Sequence, residues 1–321
     1  MTGPLGLGFL GFPDLRALAA AGQHAEAAGF ESAWVAETRI TRDAVSGMTA
    51  LLLGTQRLRV GSAAINVFTR GAGLTAVTWA TLAEAAPGRV VLGIGAGSPT
   101  PLAQQGYEFK DGVRRLAEFV EAVRAAWTST PPIDYDGRYV QFKGLMPEVQ
   151  PNPSPPIYLG VTGPHALDCA GAISDGVILN AFMPPAYVRH ARARLNAAAG
   201  GQFGGQIGGA IVVAMADSVA EAAARVRPIL ATYLVFFPNL ARETGIDPDF
   251  LDRLRSRAMH DGMESTFGDL PDGLVRQHAL CGPATVCRER LAEYRQAGLE
   301  LPVLFPDQQS LEPTIQSLAG A

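Results

Sequence analysis

Short, uniformly apolar segments alternate along the chain with longer segments whose apolar residues recur at helical spacing. The first helical segment has Leu15 and Leu18 on one face and ends at Gly29, which is the pattern of an amphipathic helix with a C-terminal cap. Eight apolar segments are predicted to be strands: LGLGFLG, ESAWVAE, RVGSAAINV, GRVVLGIGAGS, PIYLGV, GVILN, QIGGAIVVAMA and LPVLF.

Nearly all of these segments are apolar throughout rather than alternating between apolar and polar residues. Strands with this pattern are buried on both faces, as in a parallel sheet covered by helices. Eight strand–helix units favour an α/β fold, a (β/α)8 TIM barrel with insertions, over an open doubly wound sheet. We expect one domain over residues 1–321. Its insertions are predicted at about 128–155, with a hairpin around YDGRYVQF, and at about 236–277, where the sequence is irregular.

The segment GLGFLG, Gly6 to Gly11, has the G-x-G-x-x-G spacing of dinucleotide-binding folds. That spacing indicates a nucleotide site only where it follows a strand and opens a helix, with an acid about 20 residues further on. Here only five residues precede the segment, and Pro13 and Asp14 begin the next helix. The segment is therefore predicted to be the first strand of the barrel.

Composition narrows the function classes. The chain has 321 residues, 48% of them hydrophobic, and 30 acids against 26 bases give a net charge of −4. Without a long basic run, these values favour neither a nucleic-acid nor a membrane partner. Cys169, Cys281 and Cys287 lack metal-ligand spacing, and no H-E-x-x-H or Ser-His-Asp pattern occurs, so we expect no metal site. The odd cysteine count and an N-terminus unlike a signal peptide favour a cytoplasmic protein.

The active site of such a barrel lies at the C-terminal ends of the strands. The candidate residues are therefore those that follow the apolar segments: Glu37, Thr38, Asn66, Arg70, Ala96, Gly97, Ser98, Thr162, Gly163, Pro164 and Asn180. Glu37 suits a proton carrier, a ligand contact or a solvated loop acid. Arg70 suits an ion pair with an anionic group or a place on the surface.

Two of these stretches, GAGS and VTGPH, have properties of a phosphate site. Both are small and flexible enough for backbone N–H groups to approach an anion closely. VTGPH also opens a helix, since Pro164 suits the first turn, and the helix dipole then points at a ligand. His165 lies in that first turn and is a candidate contact. Glycines at strand ends also make tight turns that bind nothing, so both interpretations stay open.

Three longer segments carry a resemblance to a known family: INVFTRGAGLTAVTWATLAEAAPGRVVLGIGAGS at 65–98, PIYLGVTGPHALDCAGAISDGVILN at 156–180 and CGPATVCRERLAEYRQAGLELPVLFP at 281–306. In this order they resemble the bacterial-luciferase-like superfamily of flavin- and deazaflavin-dependent oxidoreductases. NVFTR and GRVVLGIGAG most resemble the branch that uses coenzyme F420, which includes methylenetetrahydromethanopterin reductase and glucose-6-phosphate dehydrogenase.

The resemblance implies a barrel that holds the deazaflavin ring at the strand ends. It implies a non-prolyl cis peptide between Ala63 and Ala64, in a bulge that backs the ring. Glu37 and Asn66 are implied as polar contacts of the cofactor. The complete set of implied cofactor contacts is Glu37, Ala63, Ala64, Asn66, Ala96, Gly97, Ser98, Thr162, Gly163, His165 and Ala166.

Some positions depart from the relatives. Thr38 and Ser98 stand where the sugar-phosphate dehydrogenases of that branch carry a histidine and an acid, so a sugar-phosphate substrate is not expected. Val67 replaces a proline of many relatives, so the loop after the third strand is expected to differ. Glu37, Thr38 and Ser98 are the catalytic candidates. The proton donor is expected to be one of these groups, water, or a residue of a substrate lid formed by residues 236–277.

The expected function follows from this resemblance. F420 carries carbon where a flavin has its reactive nitrogen, so it moves hydride and reacts poorly with oxygen. We expect hydride transfer between F420 and a small unsaturated or carbonyl-type substrate. An FMN-dependent monooxygenase of the same superfamily is the second candidate, and a non-catalytic flavin-binding protein is the third. Superfamily members are commonly dimers, so the resemblance implies a homodimer, for which the residues of this chain give no evidence of their own.

Overall fold

A computed structural model describes residues 3–37 and 42–320, and in these residues eight parallel strands close into a barrel. The strands in the described residues are β1 Gly6–Phe9, β2 Ser32–Val35, β3 Arg59–Ser62, β4 Ile65–Asn66, β5 Val90–Gly95, β6 Ile133–Asp136, β7 Gln141–Leu145, β8 Ile157–Val161, β9 Gly176–Leu179, β10 Gln206–Met215, β11 Leu280–Gly282 and β12 Leu301–Pro306. The order around the barrel is β1, β2, β3, β5, β8, β9, β10 and β12, and β12 pairs with β1. The predicted TIM barrel is therefore confirmed.

Helices surround the barrel. Those in the described residues are α1 Leu15–Ala28, α2 Ala44–Gly54, α3 Ala72–Ala85, α4 Pro99–Ala103, α5 Gly112–Thr128, α6 Pro164–Ile173, α7 Pro185–Ala198, α8 Val219–Phe236, α9 Pro238–Ala241, α10 Pro248–Asp261, α11 Asp272–His278, α12 Ala284–Gln296 and α13 Leu311–Leu318. An outer ring is formed by α1, α2, α3, α5, α6, α7, α12 and α13, each in contact with the next, and α13 contacts α1. Within residues 3–37 and 42–320, no helix combines the length and hydropathy needed to cross a bilayer.

Large side chains fill the interior of the barrel because glycines face them. The interior cluster consists of Trp34, Val91, Tyr158, Ile178, Leu301 and Val303. A methyl group on Gly61 would stand 2.5 Å from the Trp34 ring, and one on Gly8 would stand 2.4 Å from the Phe305 ring. The interior is thus a packed core. Gly8 of the GLGFLG segment is needed for packing inside the barrel, and the prediction that this segment is the first strand is confirmed.

Local signals account for several boundaries. Asp14 caps α1, since its carboxylate accepts hydrogen bonds from the N–H groups of Arg16 at 2.8 Å and Ala17 at 2.9 Å. Gly29 ends this helix with φ at 100°, a conformation that glycine adopts readily. The predicted hairpin around residues 135–142 is also present, as the antiparallel pair β6 and β7.

Residues 236–277, the predicted insertion with irregular sequence, are mostly helical in the structure. They contain α9, α10 and α11, with two short 3₁₀ segments between them. Asp247 caps α10, and Pro248 occupies its first position. Leu251 and Leu254 bury one face of α10 against the core. Turn residues in this segment therefore mark helix starts rather than a loop.

Candidate functional site

A bulge interrupts the third barrel strand at the mouth of the barrel, the end where the strands finish. β3 ends at Ser62 and β4 begins at Ile65, and the pairing of these strands with β5 moves by one residue across the gap. One extra residue is accommodated in this way, as in other β-bulges. The peptide bond between Ala63 and Ala64 in the gap is cis, as the resemblance implies.

Ser62 supplies hydrogen bonds where the bulge interrupts the strand pairing. Its buried hydroxyl donates to the carbonyl of Gly93 at 2.8 Å and accepts from the N–H of Gly93 at 3.0 Å. A Cβ on Gly93 would stand 1.7 Å from the Ser62 carbonyl oxygen, so no other residue fits there. Ser62 was not among the residues predicted for the site. Its signal was a hydroxyl inside an otherwise apolar strand.

Small residues form a shallow hollow beside the bulge. Gly95 of β5 pairs with Gly160 of β8, and a Cβ on these glycines would stand 3.7 Å and 3.4 Å from the Ala64 methyl group. Ala64 and Gly160 are partly exposed, so the hollow formed by Ala64, Gly95 and Gly160 reaches solvent. A flat ring system fits on a surface of this kind, and a longer side chain at either glycine would fill it. Gly95 begins the predicted GAGS stretch, whereas Gly160 was not among the predicted site residues, although glycine inside a strand is a signal of close approach.

The two glycine-bearing bends predicted from the sequence lie next to each other. Because Gly95 and Gly160 are paired, residues 96–98 and 162–163 leave neighbouring strands at the same end of the barrel and from the same level. Ala96 and Ser98 are half-buried and Gly97 is exposed. Backbone groups of both bends can therefore face a single ligand.

Asn66 joins the bulge to the first bend. Gly97 has φ at 72°, and a Cβ there would stand 1.9 Å from Nδ2 of Asn66. Oδ1 of Asn66 accepts a hydrogen bond from the N–H of Phe68 at 2.8 Å. The structure thus brings together Asn66 and Gly97, which the resemblance implied as cofactor contacts on different strands.

The second bend opens α6. Gly163 precedes this helix with open space around its α-carbon. The N–H of Ala166 donates to the Gly163 carbonyl at 3.0 Å, and His165 is exposed in the first turn. The carbonyl of Thr162 accepts a hydrogen bond from the hydroxyl of Tyr187, and burial raises the pKa of Tyr187, which keeps this hydroxyl protonated. Tyr187 thus anchors the bend from behind, a role that the sequence did not indicate.

Glu37 is held by a cation rather than left in solvent. Nε and Nη2 of Arg70 donate to its two carboxylate oxygens at 3.3 and 3.0 Å, and the N–H of Ala44 donates at 3.1 Å. Arg70 also pairs with Asp43. Burial alone would lower the pKa of Arg70, but hydrogen bonds and charges of Glu37 and Asp43 outweigh it and raise the pKa. In this arrangement Glu37 is a hydrogen-bond acceptor, and Arg70 is occupied by protein carboxylates.

Of the other two catalytic candidates, Thr38 and Ser98, the structure describes only Ser98. Thr38 lies outside the described residues. Ser98 precedes α4 at the first bend. Glu37 is two residues beyond Val35, which pairs with Ser62, so the Glu37 backbone lies next to the bulge.

A separate cavity of about 850 Å³ lies between α7, α10, α11 and α12. Among the described residues that line it there is no predicted site residue.

Solved structures share this architecture. The F420-dependent tetrahydromethanopterin reductase of Methanopyrus kandleri superposes with a TM-score of 0.86 at 19% identity, over 99% of this chain and 98% of that one. An F420-dependent secondary alcohol dehydrogenase bound to an F420–acetone adduct gives a TM-score of 0.81 at 19% identity, over 99% and 98% of the two chains. At 19% sequence identity, these structural similarities establish the fold alone.

Sequence comparison reaches the family. The 5,10-methylenetetrahydromethanopterin reductase of Methanolobus tindarius is 25% identical over 280 residues, which are 86% of this chain and 85% of that protein. The model of the luciferase-like monooxygenase family matches residues 2–301. The resemblance noted from the sequence is thereby confirmed, and this chain belongs to the luciferase-like monooxygenase family.

Proposed function

We propose that this chain is an F420-dependent oxidoreductase that transfers a hydride between the deazaflavin and a small organic substrate. The observation that carries the proposal is the hollow of Ala64, Gly95 and Gly160, flanked by two bends that leave paired strands together. The hollow offers a flat seat for a ring, and the bends offer backbone N–H groups for a phosphate. Two solved structures that are named as F420-dependent enzymes share the fold, and a methylenetetrahydromethanopterin reductase is 25% identical over most of the chain, which supports this choice of coenzyme.

Each part of the coenzyme has candidate partners in this arrangement. Ala63 and Ala64 would back the ring, and Asn66 with Glu37 would meet its polar edge. Ala96, Gly97 and Ser98 at one bend, and Thr162, Gly163, His165 and Ala166 at the other, would hold the tail and its phosphate. Most of these residues are alanine, glycine or serine, which let a ligand approach the backbone closely.

The chemistry divides between coenzyme and protein. When bound, the deazaflavin supplies the hydride or accepts it. The chain positions the ring, excludes water and supplies a proton path. Glu37 is placed as an acceptor by Arg70 and Ala44, so we assign the proton to Ser98, Thr38 or water. Residues 236–277, which are mostly helical, are our candidate for the substrate lid.

The test is a binding titration of the purified chain with F420 and with FMN, each in oxidised and reduced form, followed by an acceptor screen with reduced F420. We expect tight binding of F420 and slow or no reaction of the bound coenzyme with oxygen. Tight binding of FMN alone would contradict the choice of coenzyme. The identity of the coenzyme that co-purifies with the protein is an independent check.

An FMN-dependent monooxygenase is the second candidate function, because the family is named for that chemistry. If this function is correct, the chain consumes oxygen when supplied with reduced FMN, whereas an F420-dependent enzyme does not. A non-catalytic flavin-binding protein predicts retained ligand without hydride transfer to any acceptor. We also propose that the chain is cytoplasmic and forms a homodimer, as is common in this superfamily. Light scattering of the purified chain would test the oligomeric state.

A further inference from the structure

Basic side chains gather beside the first glycine bend. Lys110, Arg114 and Arg138 surround Asp111, whose carboxylate accepts a hydrogen bond from the Tyr139 hydroxyl at 2.7 Å. That hydrogen bond and the three nearby cations hold the pKa of Asp111 below its usual value. Arg138 is 4.0 Å from the carboxylate, and its side chain is 70% exposed. We call Lys110, Arg114 and Arg138 the basic cluster; it carries more positive charge than Asp111 neutralises.

The next acid along α5 is bonded to the backbone of the β6–β7 hairpin. Both carboxylate oxygens of Glu118 accept hydrogen bonds from backbone N–H groups of the β6–β7 hairpin, at 3.1 Å from Arg138, 2.5 Å from Tyr139 and 2.6 Å from Val140. Glu118 therefore fixes the hairpin turn against α5. This contact holds Arg138 of the hairpin next to Arg114 of the helix.

The cluster is continuous with the first bend. Gly112 opens α5 directly after Asp111, and a Cβ on Gly112 would stand 3.2 Å from the Ala96 methyl group. The guanidinium of Arg115 lies 4.6 Å from the centre of the Phe68 ring and 5.2 Å from that of Tyr139. These contacts run from the bend, through Phe68 and Arg115, to the side chain that bonds to Asp111. A ligand that extends beyond the bend thus meets the basic cluster.

We propose that the basic cluster binds the oligoglutamate chain of the coenzyme. This inference rests on the proposed function. In F420 the phosphate continues through a lactyl unit into linked glutamates, each with a carboxylate, whereas FMN ends at its phosphate. Ala96 is among the residues proposed to hold that phosphate, and the cluster adjoins it. The cluster therefore offers cations where a polyanionic chain begins.

The exposure of these cations determines how the site behaves. A single solvent-exposed ion pair contributes little and is screened by salt. Several carboxylates on one chain can engage Lys110, Arg114 and Arg138 together, so affinity increases with the number of glutamates. The preference for a long tail decreases at high salt.

Fluorescence titration of the full chain tests this, with F420 that carries several glutamates and with the glutamate-free form, at low and high salt. For the double variant Arg114→Gln, Arg138→Gln we expect the Kd for the long-tailed coenzyme to rise about 3- to 10-fold at low salt. The Kd for the glutamate-free form changes little. The matched control is Arg57→Gln, an exposed arginine just before β3, at the opposite end of the barrel.

The outcomes are distinguishable. Equal loss of affinity for both coenzymes in the double variant, or no loss for the long-tailed one, would overturn the assignment of the tail site. Equal affinity of the wild type for the two coenzymes would also overturn it and leave the proposed function intact. Binding of neither coenzyme by the wild type would overturn both. A circular dichroism melt shows whether the double variant is folded.

Discussion

Ser62 and Gly93 are joined by two hydrogen bonds through one hydroxyl group, at 2.8 and 3.0 Å. The Ser62 side chain is fully buried, so bulk water cannot take over either bond. The bulge that contains Ala63 and Ala64 is therefore supported by a side chain where the strand pairing is interrupted. Because Ala64 lines the hollow, the contact between Ser62 and Gly93 also helps to hold the hollow in shape.

Ser62→Ala is expected to destabilise the protein by about 1–3 kcal/mol, since a buried N–H and a buried carbonyl lose their partner. Urea unfolding measures this change. The matched control is Thr78→Ala, which removes an exposed hydroxyl bonded to the Leu74 carbonyl at 2.8 Å. An equal effect of the two substitutions would contradict the role given to Ser62.

Gly97→Ala is expected to weaken coenzyme binding about tenfold or more, because the new methyl group would displace the Asn66 amide that lies 1.9 Å away. Gly200→Ala is the control, since Gly200 has a similar φ of 70° and open space around it. Both substitutions cost about 1–2 kcal/mol of stability from the left-handed backbone. Only Gly97→Ala should change the Kd measured by titration, and an unchanged Kd would count against the first bend as part of the site.

Gly160→Leu is expected to abolish binding of any flavin or deazaflavin ring. A Cβ at this position stands 3.4 Å from the Ala64 methyl group, so the rest of the side chain occupies the hollow. Gly204→Leu, on an exposed loop with open space, adds the same side chain and should bind as the wild type does. Normal binding by a folded Gly160→Leu variant would place the ring elsewhere.

Stability is expected to fall as the pH drops below about 6.5 because of His278. Burial lowers the pKa of this histidine below the usual value of 6.5, although carbonyls of Leu274 at 2.8 Å and Thr244 at 3.4 Å oppose the shift. The unfolded chain then binds the proton more readily than the folded chain, so acid favours unfolding. Urea unfolding at several pH values measures the slope.

The variant His278→Asn is expected to remove part of that slope. The control is His260→Asn, because His260 makes a similar bond to the Ser256 carbonyl at 2.8 Å but is exposed. A slope that is the same in the His278 variant as in the wild type would show that other groups cause the loss of stability in acid.

Local and periodic signals in the sequence were enough to predict the barrel. Strands buried on both faces must be apolar throughout, and Asp14 and Gly29 mark the ends of α1 by chemistry that needs no distant partner. The same signals did not reveal the helices of residues 236–277, because Asp and Pro are common both in turns and at helix starts. Whether Asp247 and Pro248 begin a helix depends on the burial of Leu251 and Leu254.

The sequence by itself determined the strand–helix alternation, the end of the barrel at which the candidate site residues lie, and the residues that resemble a known cofactor site. Only the tertiary structure decided that Gly95 pairs with Gly160, that Ser62 is hydrogen-bonded to Gly93, and that Arg70 forms an ion pair with Glu37. The reason is physical: propensity and periodicity act over a few neighbouring residues. Strand register and ion pairing depend on contacts between residues about 30 or more positions apart, which only the closed barrel brings together.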